Sequence, residues 1–235
     1  EQLKRMNEMR VLTIAMMSMS SVSGAIVGAY VQMVPGELVL TAIPLNIVNA
    51  IIVSCLLNPV SVEEKEDIIY SLKNNEVERQ PFFSFLGDSV LAAGKLVLII
   101  IAFVISFVAL ADLFDRFINL ITGLIAGWIG IKGSFGLNQI LGVFMYPFAL
   151  LLGLPYDEAW LVAQQMAKKI VTNEFVVMGE ISKDIASYTP HHRAVITTFL
   201  ISFANFSTIG MIIGTLKGIV DKKTSDFVSK YVPMM

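Results

Sequence analysis

The chain is 235 residues long, 55% hydrophobic and only 15% charged, with a mean hydropathy of +0.72. Soluble domains carry about 25% charged residues, so this composition belongs to a protein whose solvent is a lipid bilayer. Lys and Arg number 17 against 19 Asp and Glu, without a basic stripe interleaved with aromatics, which excludes nucleic acid as a partner; the single Cys55 excludes an intrachain disulfide and reads as a small buried apolar side chain.

The opening EQLKRMNEMR is charged but leads into an apolar run far longer than a signal-peptide core, with no cleavage site. There is no initiator Met and no polar tail after YVPMM, which suggests a piece of a longer chain. Residues 11–36 carry no charge and read VLTIAMMSMSSVSGAIVGAYVQMVPG. Ser18, Ser20, Ser21, Ser23, Gly24 and Gly28 lie in their middle. Small residues let membrane helices approach closely. The same cluster fits a helix that unwinds near 21–24 and frees backbone carbonyls for a cation or solute. Both readings stand, and the expected element is a discontinuous transmembrane helix over 8–36.

A second transmembrane helix is expected over 38–59, kinked at Pro44 and stopped by Asn58-Pro59. Asn46 and Asn49 share one face and are expected to bond neighbouring helices. Residues 60–88 are acidic and mixed in sign, an exposed loop with a short helix. Residues 89–131 read as long membrane and interfacial helices in two apolar pieces. Asp112, Asp115 and Arg116 separate the pieces, with the i,i+4 pair Asp112 and Arg116 marking an interfacial end.

Over 133–180, Pro147, Gly153 and Pro155 break an uncharged run, and a helical pattern too polar for lipid follows. Two short helices separated by Gly-Leu-Pro, the second ending at Glu174, read as a re-entrant hairpin shielded by protein. His191-His192 has no further ligand cluster around it, so no metal site is expected. Residues 191–216 read as a discontinuous transmembrane helix around ISFANFSTIG, and 217–235 as the start of a truncated last helix. The fold class is therefore an all-α, polytopic membrane protein with discontinuous transmembrane helices and a re-entrant helical hairpin.

The chemistry concentrates in two places. Asn205, Ser207 and Thr208 lie mid-membrane, where an unpartnered carboxamide costs a few kcal/mol. Asn173 and Glu174 sit between apolar flanks in IVTNEFVV. We expect the two segments to face one polar cavity. A carboxylate, carboxamides and hydroxyls suit a neutral, polyhydroxylated solute, and the carboxylate leaves coupling to a proton or another cation open. No phosphate loop, HExxH or nucleophile dyad is present, and no cofactor is expected. An intramembrane enzyme with Glu174 as general base is the alternative, but it lacks a second catalytic group.

The runs SFGLNQILGVFMYPFALLLGLPYDEA, KKIVTNEFVV and FANFSTIG, with SSVSGAIVGAY and GDSVLAAGK upstream, resemble the concentrative nucleoside transporters, most closely the bacterial members. The first three runs are similar to that family's second hairpin and seventh transmembrane helix, the other two to its fourth and sixth helices. The resemblance implies a homotrimer in the bacterial inner membrane that imports nucleosides by symport with Na+ or H+. It further implies that Glu174 binds the ribose hydroxyls and Asn205 the same sugar, with Thr208 at a site position; Asn173 and Ser207 are expected beside them from their own polar chemistry within apolar segments. Thr208 falls where the family usually has Ser. Ile26 aligns with the residue that packs on the nucleobase, and Ser21 and Val22 with positions that give oxygens to a coupling sodium ion. The family's first three helices, first hairpin and last helix have no counterpart in this sequence.

Overall fold

The computed structural model describes residues 3, 6–61, 81–130 and 135–234. Most of the loop expected over 60–88 lies outside the described residues. The described chain is all-helical, without strands.

Helix α1, Glu8–Ser20, starts at Asn7, whose side chain accepts from Arg10 N. It stops at the serine cluster. Ser18 Oγ donates to Ala15 O and Ser21 Oγ to Met17 O. Such bonds compete with the regular ladder for helical carbonyls. The backbone is extended at Ser21 and Ser23, and helix α2, Gly24–Tyr30, follows. Helix α3, Gly36–Leu57, runs on through Pro44 without a break. Its end is tied back to α1 by Asn58 Nδ2, which donates to Met9 O and Thr13 Oγ1, both at 2.9 Å. Midway, Asn46 Nδ2 donates to Thr198 O at 3.2 Å, a bond to a neighbouring helix.

Helix α4, Phe82–Ile129, is one continuous helix of 48 residues, about 72 Å long at 1.5 Å per residue. This corrects the expectation of two pieces separated at Asp112–Arg116. Asp and Arg are tolerated in a helix interior, and Arg116 Nε meets Asp112 Oδ2 at 2.7 Å on an exposed face. Nothing there removes a backbone donor. Asp115 turns inward instead, where its Oδ1 accepts from Leu137 N at 2.7 Å. It thereby caps helix α5, Leu137–Leu151.

After α5 comes a tight turn with Gly153 at φ +77° and helix α6, Tyr156–Val171. A Cβ on Gly142 would lie 3.0 Å from Gln164 Cγ, and the Tyr146 and Trp160 rings pack edge to face. Those pairings run in opposite directions, so α5 and α6 form an antiparallel hairpin. Helix α7, Glu174–Ile181, then α8, Pro190–Ile201, and α9, Phe206–Lys217, follow. The last helix, α10, Lys222–Tyr231, folds back on α1, with Lys223 Nζ 2.7 Å from Glu8 Oε1.

One apolar core joins Tyr30, Val39, Ala163, Val177, Met178, Ile196, Leu200 and Ile201 from α2, α3 and α6 to α8. Outside it, α3 and α4 expose large apolar side chains along their length, from Leu40 to Trp128. Surface of that extent fits lipid or further protein, not water. Cys55 lies on this outer side and is exposed, which corrects the expectation of a buried thiol. An uncharged membrane helix is apolar all round, so its sequence does not reveal which face is covered. Gly36–Leu57 and Pro190–Lys217 are each long and apolar enough to cross a bilayer.

Candidate functional site

Two asparagines organise the site, each as the N-cap of a helix. Asn173 is extended at φ −167° and accepts from Val176 N through its side chain, starting α7. Asn205 is extended at φ −159° and accepts from Thr208 N at 2.9 Å, starting α9. Both are strongly preferred N-cap residues because the carboxamide oxygen satisfies a donor that the first helical turn leaves free. The sequence reading placed Glu174 at the end of the preceding helix. In fact α6 stops at Val171, and Glu174 is the first residue of α7. There its carboxyl lies at the positive end of the helix dipole.

Glu174 is wholly buried, 0% exposed. Its Oε2 accepts from Asn205 Nδ2 at 3.0 Å, joining the two segments that were expected to share one cavity. Its Oε1 accepts from the Tyr30 hydroxyl at 2.9 Å. Tyr30 is also 0% exposed, and its ring lies 5.2 Å from that of Phe175. Sequence reasoning missed Tyr30, since one tyrosine in GAIVGAY carries no mark that sets it apart.

Asn205 is fully engaged. Its Nδ2 also donates to Phe203 O at 3.2 Å, and its Oδ1 accepts from Ser207 Oγ at 2.7 Å. Thr208 Oγ1 donates to Phe203 O at 2.6 Å. Ser207 and Thr208 are both buried, and their hydroxyls hold Asn205 and the bend before it. Asn173 differs, because its buried Nδ2 has no hydrogen-bond partner. A buried donor left in that state costs about 1–3 kcal/mol.

Ser21, Val22 and Ile26 lie on the other arm. Val22 and Ile26 are half-buried and pack against the core that contains Tyr30 and Val177. Ser21 is exposed, with its hydroxyl on Met17 O. No contact joins these three directly to Glu174; the link from their arm runs through Tyr30 at the end of α2.

Lys169 is the other residue the sequence reading passed over. It is 1% exposed, and its ammonium lies 4.7 Å above the Phe199 ring. It borders a largely apolar cavity of about 610 Å³ whose wall includes Asn46, Phe199, Ser202 and Ala204. His191 and His192 hold structure. His191 Nε2 lies 2.8 Å from Leu152 O, and the His192 ring stacks on Tyr188.

The family described as "Na+ dependent nucleoside transporter C-terminus" matches residues 38–235. The chain is 45% identical over 232 residues to the purine nucleoside transport protein NupG of Bacillus subtilis, covering 99% of this chain and 55% of that protein. It is 28% identical over 225 residues to the human sodium/nucleoside cotransporter 1, covering 88% of this chain and 34% of the relative. Among solved structures it is similar to CNTnw in an inward-facing substrate-bound state, with a TM-score of 0.73 and 26% identity over 97% of this chain and 53% of that one. A CNTnw variant in an intermediate state gives a TM-score of 0.79. The chain spans about a third to a half of the length of these curated relatives.

Proposed function

The chain belongs to the Na+ dependent nucleoside transporter family, and from that premise we propose that the full-length protein imports nucleosides across the cytoplasmic membrane of a bacterium by symport with a cation. The family is one of transport proteins rather than enzymes, so Glu174 is not read as a general base. The observation that carries the proposal is the buried contact of Tyr30, Glu174 and Asn205 where α2, α7 and α9 meet.

The Glu174 carboxylate takes side-chain donors from Tyr30 and Asn205, and two oxygens with about four acceptor positions leave room for a further donor. A pair of vicinal sugar hydroxyls donating there forms charge-assisted bonds, about twice as strong as neutral ones. Asn173 Nδ2, buried without a partner, supplies a donor to a sugar oxygen beside it. Asn205 reaches the same sugar by exchanging its Nδ2 bond to Phe203 O for one to a sugar oxygen, and Ser207 and Thr208 fix its orientation through the bonds they make to its Oδ1. Ile26 packs on the nucleobase. Ser21 and Val22, in the extended stretch between α1 and α2, offer side-chain and backbone oxygens to the coupling ion, Na+ or H+.

In this reading α1 with α2, and α8 with α9, are halves of discontinuous transmembrane helices. The α5–α6 pair is a re-entrant hairpin that leads into α7. Alternating access moves these elements against a scaffold that includes α4, and the protein assembles as a homotrimer in the inner membrane. Because a purine nucleoside transport protein shares 45% identity with the chain, purine nucleosides are the first substrates to try. The test is uptake of labelled adenosine and uridine by vesicles that hold the full-length protein, under a sodium gradient and, separately, a proton gradient. Accumulation under either gradient supports symport. No accumulation under both, with folded protein present, removes it.

A further inference from the structure

Two hollows border α3 and meet at Asn46 and Ala204. The larger, of about 610 Å³, lies between α3, α6 and α8 and has Lys169 in its wall. The smaller, of about 190 Å³, continues along α3 past Asn49 and Val53 to Leu57, beside Met16 and Ser20 of α1. From Asn46 to Leu57 is about three turns of helix, or about 16 Å, so the two hollows together make a furrow of helical length. Two polar groups in it have bonds unmade. Lys169 is 1% exposed and turns inward onto the Phe199 ring, while its neighbour Lys168 reaches Glu180 at the surface. No carboxylate lies at ion-pair distance from the Lys169 ammonium among the described residues; Glu174, the nearest acid in sequence, is held by Tyr30 and Asn205. A lysine is almost never fully buried unless paired, and at membrane depth it takes a carboxylate or backbone carbonyls as partners. Asn49 is exposed on a helix of bilayer-crossing length and has no hydrogen-bond partner among the described residues, whereas Asn46 is bonded to Thr198 O. An acyl chain in the furrow would leave both groups unserved, at the desolvation cost that an unpartnered polar group carries. A polypeptide can serve both.

We propose that the furrow seats an apolar helical segment of the full-length protein that lies outside this chain, and that the segment brings an Asp or Glu to Lys169 and a hydrogen-bonding group to Asn49. The chain covers 55% of the length of the similar Bacillus subtilis protein, so a protein of that size has further segments to pack in the same bilayer. Val53, Ile170, Val195 and Phe199 supply the apolar contact. Helices associate in a membrane through such packing and through bonds between polar side chains, and a charge matched across the contact fixes which segment docks and in what register. The docking is independent of what the protein transports.

Two measurements test it in the full-length protein. In the first, photo-leucine, a diazirine analogue close in shape to leucine, replaces leucine in protein held in its membrane, so no substitution disturbs the fold. Leu57 and Leu152 border the two hollows. After irradiation, mass spectrometry should find the peptides that contain them joined to an apolar segment from outside residues 1–235. Peptides joined only to lipid, to a second copy or to other residues of this chain, or not joined at all, overturn the proposal, as does a joined segment without an Asp or Glu. The second is a thermal cycle on detergent-solubilised protein. Lys169→Met alone, and the acid of the joined segment changed to its amide alone, each lower the midpoint by about 5 °C or more, and the double variant recovers at least half of the summed loss. Additive losses overturn the charge pairing.

Discussion

The Tyr30 hydroxyl donates to Glu174 Oε1 at 2.9 Å between residues 144 positions apart in the sequence. This bond ties the arm that holds Ser21, Val22 and Ile26 to the arm that holds Asn173 and Asn205. Tyr30→Phe keeps the ring against Phe175 and removes only the donor. A hydrogen bond to a charged group contributes about 1.5–3 kcal/mol. We expect a rise in nucleoside KM of about tenfold or more, read in vesicle uptake, with the helical circular dichroism signal unchanged.

Asn205→Asp separates the two jobs of this residue. Asp serves as an N-cap as well as Asn does, so α9 keeps its start and the protein its expression level. The donor to Glu174 is replaced by a second carboxylate about 3 Å away, and two such groups cannot both ionise at that distance. Uptake falls at neutral pH and recovers in part as pH drops, when one of the pair takes a proton. Asn205→Asp uptake equal to wild type at pH 7 would count against Asn205 as part of the site.

Helix α9 docks on α4 at Gly210, where an added Cβ would lie 2.6 Å from Phe103 Cε1. The aromatic ring cannot fold out of the way as a flexible chain end does. Gly210→Val therefore weakens this contact, with a cost of about 1–3 kcal/mol for overpacking. Phe103→Leu on that background restores part of the loss, measured as thermal midpoints of the four proteins.

Outside the membrane helices, Asp221 caps α10 by accepting from Thr224 N at 3.0 Å and from Thr224 Oγ1 at 2.8 Å. The backbone bond from Thr224 is the largest cause holding its carboxyl below the usual range. A depressed folded pKa means that stability is present above the unfolded value and is lost as pH falls through the folded one. Amides of 222–231 in wild type should lose hydrogen-exchange protection below about pH 4. Asp221→Asn keeps the cap and removes the pH dependence.

The helical class and most of the element order were legible in the sequence because uncharged runs of bilayer length leave few alternatives. Glu174 and Asn205 were legible because polar groups amid apolar neighbours require partners. The start of α7 was not read, although Asn173-Glu174 is an N-cap followed by an acid in the first turn; Asn205 before α9 shares the Asn cap without the acid. The continuity of α4 was missed because charges at Asp112 and Arg116 mark the polarity of a surface, while only a lost donor or a steric clash breaks a helix. Tyr30 was missed because only the fold brings it to Glu174, and Lys169 because only the fold shows it buried against Phe199. Tyr is ordinary in an apolar run, and one of two adjacent lysines does not announce that it points inward.

The measurement that most directly tests the account is uptake of a labelled purine nucleoside into vesicles under a sodium gradient, with wild type and Glu174→Ala full-length protein in parallel. The account predicts saturable accumulation by wild type. It also predicts that Glu174→Ala loses about a hundredfold or more in kcat/KM, since the charge-assisted bonds to the sugar vanish together. Equal accumulation by the two proteins would contradict the assignment of the buried carboxylate as the centre of the site.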